Sequence, residues 1–317
     1  MRGGHTPVLL KEVMEMLRPE EGETAVDCTL GLGGHAVEIA KAIGPSGTLV
    51  GFDLDAGNLA RAGERVRETG AKFVGVHGSF ASVREVMEAR GLRADAALAD
   101  LGFSSNQMDD AERGMSFMRE APLDMRMDRS GGLTAADLLM QLSEEELADL
   151  IFNVGGDPLA RRIARKLAQK LEREPIQTTS QLVQVVNEAY GARAAKSRRQ
   201  PATRTFMALR MAVNDETGAL ERLMEAVREG AAEAASGGWL KPGTRVGVIT
   251  FQSNEDRMVK QAFSQIVKQG HGTLPARKPI TASEEEAGRN PRSRSAKLRV
   301  IKIHADEDEA KGRRMGM

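Results

Sequence analysis

The 317-residue sequence has little of several residue types: one cysteine, one tryptophan, one tyrosine and five histidines. A single thiol excludes an intramolecular disulfide, and histidines without cysteine partners show no zinc-like spacing, so we expect no bound metal. No apolar run approaches the ~20 residues that span a bilayer, and the opening residues lack the apolar stretch of a signal peptide. We therefore predict a soluble, cytoplasmic protein without a membrane partner.

Net charge is also absent, because 45 basic and 45 acidic residues cancel. The distribution is uneven, however. The segment 131–160 carries six acidic residues and no Lys or Arg, whereas 161–210 carries twelve Lys or Arg against three Glu. A helix with an apolar stripe and basic flanks explains part of this excess as a solvated face, and contact with nucleic-acid phosphates is the alternative that also explains the rest.

Apolar spacing alternates between two periods over the first hundred residues. Helical spacing before Pro19 predicts an N-terminal helix. Further on, short apolar runs alternate with helical stretches, which predicts strands at 24–28, 48–52, 72–76 and 94–99 and helices at 35–43, 56–68 and 83–90. This alternation favours an α/β fold with a parallel, doubly wound sheet and right-handed crossovers.

The alternation stops after Gly102 and resumes at a strand predicted at 244–250. A helical domain inserted into an α/β domain produces such an interruption. We predict an α/β domain at 1–111 and 215–305, an inserted helical substrate-recognition domain at 112–214, and a charged, disordered tail at 306–317. Within the second α/β part we predict helices at 220–235 and 259–267, a surface loop at 270–295 and a closing strand at 298–303.

A glycine-rich loop, Gly31-Leu-Gly-Gly-His35, follows the first predicted strand. Glycines let a backbone turn tightly and approach a ligand closely, and this part of a doubly wound sheet is where nucleotide-like ligands bind. Asp53, at the end of the second strand, can accept hydrogen bonds from both ribose hydroxyls of an adenosine. Phe80 follows the third strand and can pack on adenine, and Asp100 ends the fourth.

The loop by itself is ambiguous. Gly31-x-Gly33-x-x-Ala36 also fits the dinucleotide fingerprint, and a plain strand-to-helix turn is a further interpretation. A nicotinamide cofactor has no evident need for an acidic cluster at the fourth strand. A methyl donor without phosphate does, because its amino-acid end and its adenine both require polar contacts. The joint pattern favours a methyl donor, and an NAD-dependent oxidoreductase stays as the alternative.

Distinctive blocks recur along nearly the whole chain, at 5–10, 33–35, 113–119, 122–128, 201–206, 253–257, 278–281 and 290–295. In this order they resemble the MraW/RsmH family, methyltransferases that modify the N4 atom of a decoding-centre cytidine in small-subunit (16S) ribosomal RNA. The resemblance implies a Rossmann-like class I methyltransferase sheet. It also implies that S-adenosylmethionine is the cofactor and is contacted by Gly33, Gly34, His35, Asp53, Phe80, Asp100 and Gln107. Of these, His35 and Gln107 come from the resemblance alone.

The chemistry is constrained by the one thiol. Methylation at cytosine C5 generally proceeds through a thiolate that adds to the ring, and Cys28 is placed under the cofactor loop rather than beside a substrate. Transfer to an exocyclic amine needs no nucleophile, but it needs alignment and an acceptor for the amine proton. Asp100, Ser104 and Ser105 are the candidates for that acceptor.

Three residues depart from the pattern of the family that the chain resembles. Gln252 stands where the family has His, Asn254 where it has Leu, and Asn106 where it has Pro. Glutamine can replace the hydrogen bonds of histidine but not its titration. The changes at Gln252 and Asn254 keep a noncatalytic RNA-binding protein of ribosome assembly as a further alternative.

The predicted macromolecular partner is small-subunit ribosomal RNA or the 30S particle, and a homodimer is left open. The target cytidine must leave its stack to reach the cofactor. The side chains predicted to contact RNA phosphates are Arg126, Arg161, Arg165, Arg198, Arg199, Arg204, Arg292 and Arg294.

Overall fold

A computed structural model describes residues 7–197 and 200–304. The predictions for Arg198, Arg199 and the tail at 306–317 lie outside these residues. The chain divides into two compact units. The sheet unit comprises the described parts of Met1–Gly102 and Gly218–Met317, and the helical unit comprises the described parts of Phe103–Thr217.

The described residues form seven strands and thirteen α-helices. The strands are β1 (Thr24–Asp27), β2 (Thr48–Asp53), β3 (Lys72–His77), β4 (Ala94–Asp100), β5 (Leu240–Thr250), β6 (Gly272–Thr273) and β7 (Lys297–Ile303). The helices are α1 (Leu10–Leu17), α2 (Gly34–Ile43), α3 (Ala56–Arg67), α4 (Val83–Ala89), α5 (Ser105–Asp109), α6 (Ala135–Gln141), α7 (Glu144–Asn153), α8 (Ala160–Leu171), α9 (Thr179–Tyr190), α10 (Ala202–Val213), α11 (Glu216–Ala232), α12 (Ser253–Gln269) and α13 (Glu284–Arg289).

The sheet has seven strands in the order β3-β2-β1-β4-β5-β7-β6. Strands β1 to β5 pair in parallel, as predicted, and the doubly wound fold class is confirmed. The predicted closing strand is β7, whose direction was not predicted, and it is antiparallel to both β5 and β6. Helix α12 connects β5 to β6, and these two strands are not neighbours in the sheet. Strand β7 lies between them and pairs with both.

The segment predicted as a surface loop at 270–295 is more ordered than expected. It contains β6, the helix α13 and a 3-10 turn at Pro291–Ser295. Its charged composition indicated a loop, but Ser283 caps α13 by accepting a hydrogen bond from the Glu286 amide, and three Glu residues occupy the first turn. Acidic residues at a helix N-terminus are favourable because their negative charge is attracted to the positive end of the helix dipole.

Apolar side chains cover both faces of the sheet. Strands β1, β2 and β4 are buried along most of their length, so they contain continuous apolar runs rather than alternation. Trp239 is completely buried in the core of the sheet unit, and its Nε1 donates a hydrogen bond to the Ala226 carbonyl of α11 (2.9 Å). None of the helices in the described residues is long and apolar enough to cross a membrane.

The helical unit has its own apolar core, built from α6 to α10 and the segment before them. Thr134, Ser143 and Thr178 begin α6, α7 and α9 as capping boxes, which explains why these helices start where they do. Helix α8 buries Ile163, Ala164 and Leu167 and exposes four of its five basic side chains, while Lys170 is half-buried.

Candidate active site

The candidate site lies at the carboxyl end of the parallel strands, where β1 has β2 on one side and β4 on the other. The loop after β1 has a left-handed backbone at Gly31 (φ 51°) and at Gly33 (φ 76°), which ends the turn and begins α2. A Cβ on Gly33 would lie 3.0 Å from the Cβ of Ala62, and one on Gly34 would lie 2.6 Å from Cγ of Pro7. The loop therefore needs glycine for both conformation and space.

Asp53, at the end of β2, is fixed by two backbone amides. Its Oδ2 accepts from the Gly31 N–H (2.7 Å) and its Oδ1 from the Asp55 N–H (2.7 Å). Burial raises the pKa of Asp53 to about 6, although these two hydrogen bonds act in the opposite direction. Since each carboxylate oxygen has two lone pairs, Asp53 keeps acceptor capacity for a ligand hydroxyl.

Asp100, at the end of β4, is paired with His35 from the start of α2. Its Oδ2 lies 3.7 Å from His35 Nδ1, while its buried Oδ1 has no hydrogen-bond partner among the described residues. The Asp100 N–H donates to Thr29 Oγ1 (2.6 Å), which holds β4 against the loop. Burial, and then the charge of Asp27, raise the pKa of Asp100 to about 8.

Asp27 is a site residue to which the sequence analysis gave no role. It ends β1, its side chain is 2% exposed, and its Oδ1 accepts from the Thr29 N–H (3.0 Å). Burial is the main cause that raises its pKa to about 7, with the charge of Asp53 adding to it. An acidic residue at the end of an otherwise apolar strand was the sequence signal that could have identified Asp27. With Asp53 and Asp100, Asp27 is the third carboxyl group next to the glycine loop.

Cys28 is buried directly after Asp27. Burial and the neighbouring Asp27 raise the pKa of this thiol far above its usual range. A thiolate is the reactive form of cysteine, so this residue is unsuited to nucleophilic addition.

Phe80 and Gln107 stay predictions as cofactor contacts. Phe80 lies in a 3-10 turn after β3, and its ring packs against the core while remaining partly exposed. Gln107 belongs to the helical unit, where it is buried and its Oε1 accepts from the Ser104 N–H (3.0 Å) at the first turn of α5. Ser104 and Ser105 lie in the same turn, and their predicted catalytic role is likewise untested.

The predicted RNA contacts differ in availability. Arg161, Arg165 and Arg204 are exposed on the helical unit, and Arg292 and Arg294 are exposed on the sheet unit. Arg294 Nε also donates to the Ala287 carbonyl (3.2 Å).

Arg126 is partly buried and bound within its own loop, and its contact with RNA stays a prediction. It binds both carboxylate oxygens of Asp124 (2.8 and 2.9 Å) and donates to the Gly131 carbonyl (3.2 Å). Its guanidinium holds a loop together, because a bidentate carboxylate pair takes up the two donors best placed for a phosphate.

The departures at the end of β5 fall at a helix start. Gln252 immediately precedes α12, and the Glu255 carboxylate accepts from the amides of Phe251 and Gln252 (both 3.0 Å). Glu255 is a second residue that the sequence analysis missed. In 7–197 and 200–304, no three His, Cys, Asp or Glu side chains are grouped so as to hold a metal ion.

Comparison with known proteins identifies relatives along the whole chain. Ribosomal RNA small subunit methyltransferase H of Symbiobacterium thermophilum is 44% identical over 321 residues, covering 96% of this chain and 98% of that protein. The protein of the same name from Trichlorobacter lovleyi is 43% identical over 312 residues, covering 93% of this chain and 97% of that protein. The family model described as the MraW methylase family matches residues 2–304. The predicted family is thus confirmed, and the chain belongs to the MraW methylase family.

Proposed function

We propose that the chain transfers a methyl group from S-adenosylmethionine to the N4 amine of a decoding-centre cytidine in 16S ribosomal RNA. Membership in a methylase family supports an enzyme over the noncatalytic and oxidoreductase alternatives. The relatives' name, ribosomal RNA small subunit methyltransferase H, supports the substrate class. The observation that carries the proposal within the site is the buried Oδ1 of Asp100 beside the glycine loop, which has no hydrogen-bond partner in 7–197 and 200–304.

The residues of the loop fit the cofactor. Gly33 gives the loop its left-handed turn at the start of α2, where nucleotide-like ligands bind on such a sheet, and Asp53 keeps acceptor capacity at the end of β2. Three carboxyl groups with raised pKa values, Asp27, Asp53 and Asp100, repel one another when ionised and so favour a cationic ligand over an anionic pyrophosphate. S-adenosylmethionine supplies such a charge in its sulfonium, which carries the methyl group to be transferred.

Asp100 is the side chain we assign to the amine proton. A group with a pKa near the working pH can take up and release a proton with little energetic cost, and burial gives Asp100 a pKa of about 8. His35 lies next to it and can share the proton through Nδ1. Cys28 is buried with a raised pKa, so a covalent route to C5 has no activated thiolate in this chain.

The helical unit is the proposed RNA-recognition domain, and Arg161, Arg165 and Arg204 are its proposed phosphate contacts. Arg161 and Arg165 are exposed on the side of α8 opposite the buried Ile163 and Leu167. The exposed Arg292 and Arg294 of the sheet unit are proposed to add to this binding. Arg126, which also binds Asp124, stays in the proposal as a further RNA contact.

Methyl transfer from labelled S-adenosylmethionine to small-subunit particles lacking the modification tests the proposal. After digestion of the RNA, we expect the label in N4-methylcytidine. Label in 5-methylcytidine, or no label in RNA from a protein that binds the cofactor, would contradict it. Naked 16S RNA and assembled particles, compared in parallel, show which of the two is the substrate.

A further inference from the structure

A short segment before α1, Pro7 to Leu9, touches two distant parts of the sheet unit. On one side, Pro7 fills the space above Gly34, and the Val8 carbonyl lies 2.8 Å from His35 Nε2. On the other side, the Leu9 amide donates to Glu286 Oε1 of α13 (2.8 Å), a residue 277 positions further along the chain. The segment therefore connects the cofactor loop with a helix near the C-terminal strand.

The backbone at Leu9 is strained. Its φ of 55° and ψ of 30° are left-handed values that a non-glycine residue adopts only when its surroundings impose them. The buried Leu9 side chain is one constraint, and the hydrogen bond to Glu286 is the other. Because the peptide unit that donates the Leu9 amide also carries the Val8 carbonyl, holding the amide fixes the direction of the carbonyl.

The Val8 carbonyl determines the protonation of His35. A carbonyl can only accept, so His35 Nε2 must carry a proton, and the neutral ring then presents Nδ1 without one. It is Nδ1 that lies 3.7 Å from Asp100 Oδ2. The orientation of the Val8 carbonyl thus decides which nitrogen atom faces the carboxyl group to which we assign the amine proton.

We propose that Glu286 is a positioning residue of the cofactor site: it holds the strained Leu9 turn, and the turn fixes the tautomer and orientation of His35. Glu286 is far from the loop in sequence and belongs to the segment whose composition predicted a surface loop. The expected effect of Glu286 on cofactor affinity rests on the proposed function. The expected effect of Glu286 on the tautomer of His35 is independent of the proposed function.

Two conservative variants distinguish the effect of the side-chain length of Glu286, which allows the hydrogen bond to Leu9, from the effect of its charge. Glu286→Gln keeps the acceptor oxygen at the same distance and loses the charge, whereas Glu286→Asp keeps the charge and shortens the side chain by one methylene. Glu284→Asp makes the same change at an exposed position of the same helical turn and is the matched control. All variants are made in the full-length chain.

The first measurement is calorimetric titration with S-adenosylhomocysteine. We expect binding about three- to tenfold weaker for Glu286→Asp, as for the loss of one hydrogen bond. Glu286→Gln and Glu284→Asp should bind like the unmodified protein. Equal affinity for Glu286→Asp and the unmodified protein, or equal losses in both Glu286 variants, would overturn the proposal.

The second measurement is the nitrogen NMR spectrum of labelled histidines in the ligand-free protein. His35 should be Nε2-protonated in the unmodified protein and in Glu286→Gln, and shift toward mixed tautomers in Glu286→Asp. An unchanged His35 spectrum in Glu286→Asp would overturn the positioning role. If the unmodified protein does not bind S-adenosylhomocysteine, the proposed function fails, and the spectrum still decides the inference. If Glu286→Asp does not fold, a mixed-tautomer His35 in the folded Glu286→Gln overturns it.

Discussion

At the scale of single residues, Asp100 combines a raised pKa with a buried oxygen that no described residue hydrogen-bonds. We predict that Asp100→Asn lowers the methyl-transfer rate by about 10²- to 10⁴-fold, because the amide cannot take up a proton. The shape of the side chain is kept, so the melting temperature should not fall. Single-turnover methylation with saturating cofactor measures the rate, and Asp149→Asn on the exposed face of α7 is the control. A rate within threefold of the unmodified protein would remove Asp100 from the chemistry.

The raised pKa values also predict how stability depends on pH. An acid whose pKa is higher in the folded state holds a proton there that the unfolded chain has lost, so the free energy of unfolding falls as pH rises through that window. For Asp27 and Asp100 the window runs from the ordinary value of 3.8 to about 7 and about 8. Stability of the ligand-free protein should therefore decline across this range.

Asp27→Asn tests this dependence, since the amide keeps the acceptor for Thr29 without the charge. At a pH above the window we expect a melting temperature higher by about 3 °C, corresponding to ~1 kcal/mol or more, and a shallower decline with pH. Calorimetric melting of the variant and of Asp149→Asn across the window provides the comparison. If the melting temperatures of Asp27→Asn and Asp149→Asn changed equally with pH, ionisation of Asp27 would not destabilise the folded protein, and the prediction would be wrong.

Gly114 is required by space as well as by conformation. Its φ is 62°, and a Cβ would lie 2.0 Å from the Pro122 carbonyl oxygen. Gly156 in the same unit has a φ of 65°, and no described residue other than its chain neighbours has a heavy atom within 4 Å of the Cβ position. Its substitution therefore measures the conformational cost alone.

We predict that Gly156→Ala costs about 1 kcal/mol and Gly114→Ala at least ~2 kcal/mol more, because the backbone must move. Denaturant unfolding of both variants measures the difference. Equal losses would mean that the loop around Gly114 adapts freely.

At the scale of elements, α8 is the amphipathic helix whose exposed face carries the proposed RNA contacts. Arg161→Glu with Arg165→Glu should weaken RNA binding by tenfold or more and reduce the slope of log affinity against log salt by about two. Lys260→Glu with Lys268→Glu changes the net charge equally on exposed positions of α12 and should have a smaller effect. If both double variants showed the same slope of log affinity against log salt, the weaker RNA binding would follow from net charge alone and not from contacts made by α8.

Elements with strong local signals were predictable from the sequence, and those decided by distant partners were not. The apolar runs of β1, β2 and β4 are buried on both faces, so their positions follow from composition. The direction of β7 depends on the position left open between β5 and β6, which no local pattern encodes. The helix α13 was missed because its three glutamates, favourable at a helix start, have the composition of a loop.

The candidate site divides in the same way. Asp53 and Asp100 were predicted because acids at strand ends meet at one edge of a parallel sheet. Asp27 and Glu255 were missed because their importance lies in their burial and in the hydrogen bonds that they accept from backbone amides. Neither property can be read from the local sequence. Arg126 was predicted to contact RNA, and its bidentate ion pair with Asp124 could not be inferred from its charge alone.

At the scale of the whole molecule, the chain consists of two units with separate apolar cores, and the second is inserted into the first. The chain enters and leaves the helical unit near positions 103 and 217, somewhat outside the insertion predicted at 112–214. Two cores permit two unfolding transitions, and a single melting temperature then averages over both.

The lone tryptophan and the lone tyrosine are divided between the units. Trp239 is fully buried in the sheet unit, whereas Tyr190, whose hydroxyl donates to Asp157 (2.8 Å), belongs to the helical unit. Since the chain has no other residue of either type, each unit carries its own fluorophore. Exciting tryptophan selectively follows the sheet unit without any label, and the tyrosine emission follows the helical unit, so the protein reports optically which of its two parts unfolds first.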